Sequence, residues 1–182
     1  AEFPSIFQSA FWSDEKAYLA DYIDGNHKDW SVRPNMIFAA SLPFSPLSDE
    51  QKHLVVKKVR KELLTPRGLR TLSPKNPDYK GIYEGDQNER DSAYHQGTVW
   101  AWLTGHYAEA CLKVYGKSAL QEIKTLYLGF EPAINEYCIG TIAEIFDGDP
   151  PYASKGALSQ AWSVAEILRV KWLIDLYEKN EL

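Results

Sequence analysis

Apolar residues recur along this chain at helical spacing, and no segment alternates convincingly as a strand. Ser48 followed by Gln51 reads as a capping box, and Val55, Val56, Val59 and Leu63 continue as one apolar stripe that ends near Thr65-Pro-Arg-Gly68. A second helix is predicted from Gly97 to Tyr115, with Val99, Leu103, Tyr107, Ala110, Cys111 and Val114 on one face and Gly116 as its stop. Ser118 and Gln121 repeat the capping signal for a helix through Ile123, Leu126, Tyr127 and Phe130, broken or kinked at Pro132. Weaker helices precede these, from Glu2 to Trp12 and from Pro34 to Leu42. The last, from Ser159 to Lys179, is apolar around most of its circumference, the pattern of a helix packed on more than one side. The total is about six helices, paired in sequence as α-hairpins.

Three long polar stretches separate these helices, and scaffolds of this kind often present functional groups on such loops. Residues 14–33 carry Tyr18, Asp21, Tyr22, Asp24, His27 and Trp30. Residues 66–96 are long enough to hide short strands, and a loop of that length inside a domain is usually functional. Residues 140–156 carry Glu144, Asp147 and Asp149.

Composition narrows the picture. The 182 residues fit one domain, with 45% hydrophobic and 25% charged residues, as in ordinary globular proteins. Net charge is −5 and the basic residues are scattered, which argues against a nucleic-acid or anionic-membrane partner. No apolar run approaches the ~20 residues of a membrane helix, and no leader pattern is visible. The chain opens on Ala1 and its one methionine is Met36, so a piece of a longer protein, or one whose leader has been removed, is expected. Cys111 and Cys138 have no metal spacing, read as buried apolar residues and suit a reducing cytoplasm. The aromatic content of 13% is high, and Trp and Tyr among polar loop residues suit a flat, hydroxylated ligand.

Candidate chemistry gathers in three strings. Glu144 lies among Ile142, Ala143, Ile145 and Phe146, a setting that desolvates a carboxylate, with Asp147 nearby as the second member of an acid–base pair. Taken alone, the same string is also an Asp-Gly-Asp turn with a solvated or ion-paired Glu144. Tyr94-His95-Gln96-Gly97-Thr98-Val99-Trp100 offers donors, acceptors and a flat ring for a sugar, with Gly97 allowing backbone to approach a ligand. It is equally a helix start closed by an aromatic plug. In Arg33-Pro34-Asn35, Arg33 is placed to pair with a loop carboxylate, or else lies on the surface. His95 and His106 lack a third ligand at zinc spacing, so no metal or other cofactor is expected. No phosphate cradle, Ser-centred elbow or Cys/His pair is present.

Taken in order, these strings resemble the C-terminal region of glycogen debranching enzymes. The resemblance runs from Arg33-Pro-Asn35 and Ser41-Leu-Pro-Phe44 through Leu63-Leu-Thr-Pro-Arg-Gly-Leu-Arg-Thr-Leu-Ser-Pro74 and Tyr79 to Gln87. It continues in Tyr94 to Trp100, Glu144-Ile-Phe-Asp-Gly-Asp149 and Gln160-Ala-Trp-Ser163. It implies an all-α fold, about half of an (α/α)6 toroid of the glucoamylase-like six-hairpin type, with residues 1–182 forming a single domain at the C-terminal end of the glucosidase toroid. It implies inverting hydrolysis of α-1,6-linked glucose stubs on glycogen or limit dextrin, with Glu144 as general base. The general acid is an Asp in an upstream Trp-Met-Asp segment that this chain lacks, so the upstream half of the same polypeptide is a required partner and the chain alone is expected to be inactive. Arg33, Asn35, Asp86, Gln87, Tyr94, His95, Gln96 and Trp100 become the expected sugar contacts. A half-toroid would also self-associate through uncovered helix faces. The alternatives are a non-catalytic carbohydrate-binding domain and a helical interaction domain.

Overall fold

Ser48 opens a helix as its capping box predicts: its Oγ accepts from the Gln51 amide, and the Gln51 side chain accepts from the Ser48 amide. In the computed structural model, which describes residues 2–179, this is the third of eight α-helices among the described residues. They are α1 (Phe3–Phe11), α2 (Met36–Ser41), α3 (Asp49–Glu62), α4 (Gln87–Ala93), α5 (Leu103–Tyr115), α6 (Leu120–Leu128), α7 (Ala133–Glu136) and α8 (Ala161–Lys179). Helix accounts for about half of the chain. The centre is α5, which packs against α2, α3 and α8, while α6 lies on α8, so the packing is not simply one of sequential hairpins. Val55, Val56 and Val59 of α3 and Tyr107, Ala110 and Cys111 of α5 are fully buried in one core.

The architecture is helical, as expected, but the stretches between helices also form short strands that the expectation lacked. Two hairpins occupy residues 12–28: β1 (Trp12–Ser13) with β2 (Tyr18–Leu19), and β3 (Ile23–Asp24) with β4 (His27–Lys28). A five-stranded antiparallel sheet follows, in the order β5 (Leu64–Thr65), β6 (Gly68–Arg70), β7 (Val99–Trp100), β8 (Ile145–Phe146) and β9 (Ser154–Lys155). Strands of two or three residues are too short to show alternation, and this is why periodicity misses them. The register pairs Leu69 with Trp100 and Trp100 with Ile145.

Other expectations also shift. The helix predicted from Gly97 begins only at Leu103, because Val99 and Trp100 are drawn into the sheet. Ser118 caps nothing: its hydroxyl donates to the Tyr115 carbonyl inside a 3-10 turn, Gly116–Ala119, that precedes α6. Helix α6 ends at Leu128, and Pro132 precedes the separate α7. Cys111 is buried but Cys138 is only half-buried.

Helix α8 carries two apolar faces. Ile167, Val170, Leu173 and Ile174 are buried against α5 and α6. On the opposite side, Ala161, Ala165, Leu168 and Trp172 recur at helical spacing and stay exposed, Leu168 at 63% and Trp172 at 58%. The second covered side expected of this helix is open in this chain. Among the described residues, no helix is long and apolar enough to cross a membrane.

Candidate active site

β7 and β8 bring the two strongest sequence strings together. Glu144, immediately before β8, is half-buried between the fully covered Ala143 and Ile145. Its Oε1 accepts from the Tyr94 hydroxyl at 2.6 Å, and its Oε2 accepts from the Ala157 amide at 2.9 Å. Burial, then the bond and charge of Glu144, push the Tyr94 phenol above its ordinary pKa, so the proton stays on Tyr94 as a donor. The Glu144 amide also donates to the Ala157 carbonyl at 3.0 Å, clasping the segment that leads into α8.

Asp147, immediately after β8, does a different job. It is 3% exposed, accepts from the Tyr83 amide at 2.8 Å and lies 3.7 Å from Lys155 Nζ. That fixes the long polar stretch onto the sheet and commits the carboxylate. Asp149 is similarly engaged, accepting from the Tyr79 hydroxyl at 2.8 Å. Burial, then this bond, raise the Tyr79 phenol to about 12.

Tyr94 belongs to an aromatic wall. Its ring meets the edge of Trp100, whose indole N–H donates to the Tyr94 carbonyl at 3.1 Å. His95 stacks on Trp100 with centroids 5.5 Å apart, and Trp100 meets Trp162 of α8 edge-on. Trp162 in turn stacks on Trp102 at 5.5 Å, and Trp102 on Phe38 at 5.7 Å. His106, hydrogen-bonded through Nδ1 to Ser41 at 3.0 Å, meets Phe38 edge-on. Burial lowers the pKa of His106, as it does that of His95. A cleft of 240 Å³ runs along Trp100, Trp102 and Trp162, and a polar cleft of 460 Å³ containing Asp21, Arg33 and Gln96 adjoins it, the two sharing Pro34, Asn35, Thr71 and His95. Among the described residues, no group of three or more His, Cys, Asp or Glu side chains could hold a metal ion.

The expected sugar contacts thus separate. Arg33, Asn35, His95, Gln96 and Trp100 line the two clefts, and Tyr94 joins them to Glu144. Arg33 is largely occupied: Nη1 donates to the His95 and Thr71 carbonyls at 2.6 and 3.1 Å, and Nη2 to Gln96 Oε1 at 2.7 Å. Asp86 and Gln87 are exposed at the start of α4, where Asp86 accepts from the Glu89 amide as N-cap; neither lines these clefts. The close approach at Gly97 is made by the chain's own backbone, since a Cβ there would meet the Lys80 carbonyl. Asp21, Trp102 and Trp162 also line these clefts, beyond the residues expected from sequence. The signals were present: Asp21 among the aromatic residues of the first polar stretch, and Trp162 inside Gln160-Ala-Trp-Ser163.

The fold is shared with solved carbohydrate-processing hydrolases. Neutral trehalase from Saccharomyces cerevisiae superimposes with a TM-score of 0.63 at 16% identity, over 96% of this chain and 29% of that one. A GH63 mannosylglycerate hydrolase from Thermus thermophilus, in complex with Tris, gives 0.61 at 13% identity, over 92% and 36%. Sequence places the chain more narrowly. Residues 2–169 match the family model described as amylo-alpha-1,6-glucosidase, and the chain belongs to that family of glycoside hydrolases. The glycogen debranching enzyme of Saccharomyces cerevisiae is 27% identical over 178 residues, covering 85% of this chain. The chain spans only 12% of the length of that relative.

Proposed function

We propose that this chain is the base-bearing part of an inverting α-1,6-glucosidase that acts on glucose stubs of glycogen or limit dextrin. The observation that carries this reading is the double hold on Glu144. With one oxygen bound by Tyr94 and the other by the Ala157 amide, the carboxylate is fixed in orientation while lone pairs remain for a water. Glu144 deprotonates that water, and a carboxylic acid about 6.5–9.5 Å away protonates the departing oxygen. That acid is an Asp in an upstream Trp-Met-Asp segment of a longer, cytoplasmic polypeptide, whose helices close an (α/α)6 toroid against the open face of α8. The polar and aromatic clefts hold the glucan.

The test is glucose release from limit dextrin by the whole polypeptide. Glu144→Gln keeps the shape and removes the base, so turnover falls by orders of magnitude while sugar binding survives. Azide, a small anion, restores turnover as β-glucosyl azide. Near-wild-type turnover in Glu144→Gln refutes the assignment and leaves the tryptophan wall as a binding surface. The 182-residue chain by itself hydrolyses nothing, because loss of an acid alone costs about 10²–10⁴-fold.

A further inference from the structure

Asp21 lies in the bend between β2 and β3, and the backbone there is pinned: its amide donates to the Asp29 carbonyl at 2.8 Å, and the Asp29 amide to the Tyr22 carbonyl at 3.0 Å. Its side chain is 11% exposed, yet among the described residues it holds a single hydrogen bond, from Asn35 Nδ2 to Oδ1 at 2.7 Å. Oδ2 faces Arg33 Nε at 3.8 Å, too far for a hydrogen bond. An ionised carboxylate offers about four acceptor sites, so most of its capacity is left by the protein facing the cleft. Burial, only partly offset by Asn35 and Arg33, raises its pKa.

The cleft it lines selects by chemistry. An anion would meet both Asp21 and Asp29, while the Arg33 donors that could offset them are mostly engaged by His95, Thr71 and Gln96. A cation would meet Arg33. A neutral molecule with several hydroxyl groups can donate to the acceptors that face the cleft without either conflict. At 460 Å³ the cleft falls in the range of small-molecule sites, and it opens onto the tryptophan-lined cleft, where a neighbouring ring can stack.

Resting on the glucosidase reading above, we propose that Asp21 is a specificity-determining residue that accepts hydrogen bonds from hydroxyl groups of the glucosyl ring in the polar cleft, with Asn35 and Arg33 orienting it. Asp21→Asn keeps an acceptor for Asn35 and removes the charge. Isomaltose binding is measured by calorimetry on the whole polypeptide, in a Glu144→Gln background that stops turnover. Asp21→Asn weakens it about 10- to 100-fold. The same titrations with isomaltoses lacking one hydroxyl of the non-reducing ring give the decisive comparison. The deletion that costs the Asp21 protein most costs the Asn variant far less, a coupling that a merely structural residue would not produce. Equal binding by both proteins, penalties unchanged for every deletion, or no isomaltose binding by the Asp21 protein overturns the assignment. If Asp21→Asn does not fold, Asp21→Glu, which keeps the charge but displaces it, carries the same comparison. The two readings fail separately. A wild-type polypeptide that releases no glucose, yet binds isomaltose in an Asp21-dependent way, loses the glucosidase reading and keeps this one; active hydrolysis without coupling does the reverse.

Discussion

The hydroxyl of Tyr94 lies 2.6 Å from Oε1 of Glu144, joining two residues fifty positions apart in the chain. The bond holds Oε1 of the carboxylate beside the aromatic wall, while Oε2 takes the Ala157 amide. Tyr94→Phe removes one donor and little volume. If Glu144 is the base, kcat on limit dextrin falls about 10- to 100-fold, the worth of a charge-assisted hydrogen bond, with a much smaller change in KM. Steady-state kinetics of the whole polypeptide check this; a rise in KM at constant kcat would make Tyr94 a sugar contact instead.

Gly97 has φ +144°, a left-handed conformation suited to glycine, and its missing Cβ leaves room for the Lys80 carbonyl. The Lys80 amide meanwhile donates to the Gln96 carbonyl at 2.6 Å. Gly97→Ala is therefore expected to cost at least about 2 kcal/mol of stability, through strain and displaced backbone. Urea denaturation measures it. Unchanged stability with altered sugar binding would return Gly97 to the ligand role that the sequence suggests.

Glu62, at the end of α3, is buried and anchors the start of the long polar stretch. It accepts from Ser73 at 2.8 Å and Lys75 at 3.0 Å, with Lys58 at 3.5 Å. Burial works to raise its pKa, but these partners outweigh it and hold the carboxyl below its usual 4.5. Since the folded-state value is the lower one, the ionised carboxylate stabilises the fold above the unfolded value, and that contribution is lost as pH falls through the folded one. Glu62→Gln is expected to cost about 1–3 kcal/mol near neutral pH. The gap between wild type and variant then closes as pH drops below the ordinary glutamate range. Denaturation curves from about pH 7 to about pH 3 check this; a pH-independent gap would show that the charge is irrelevant.

The open face of α8 predicts association of the isolated chain, because contiguous exposed apolar surface of this kind is seldom left free. Leu168→Ser with Trp172→Ser should lower the apparent mass in light scattering toward that of a monomer while leaving the melting temperature little changed. A wild-type chain that is already monomeric and binds no hydrophobic dye would contradict this.

Much of this was legible in the chain, and the misses share a cause. Helix α3 could be placed from Ser48, Gln51 and the valine stripe, because capping and packing act over a few neighbouring residues. The family strings brought Glu144 and Tyr94 into view, but not their bond, which depends on the pairing of Trp100 with Ile145. Asp86, expected as a sugar contact, sits three positions before Glu89 and forms with it a reciprocal capping pair that the local sequence also contains. Asp21 is not marked as a site residue by its neighbours in sequence, because its meaning lies in Asn35 and Arg33, which reach it through the tertiary fold. Two-residue strands have no signature of their own; partners far along the chain impose them.

The sheet also sets an order of events. β7 and β8 come from opposite sides of the helices α5 and α6 in the chain, and the second clasp on Glu144 comes from Ala157. Non-local pairings of this kind form slowly, since the ends of a long intervening segment must first meet. The site is assembled only once Ala157 has emerged, so every incomplete product of synthesis that stops short of that point lacks the second clasp on Glu144.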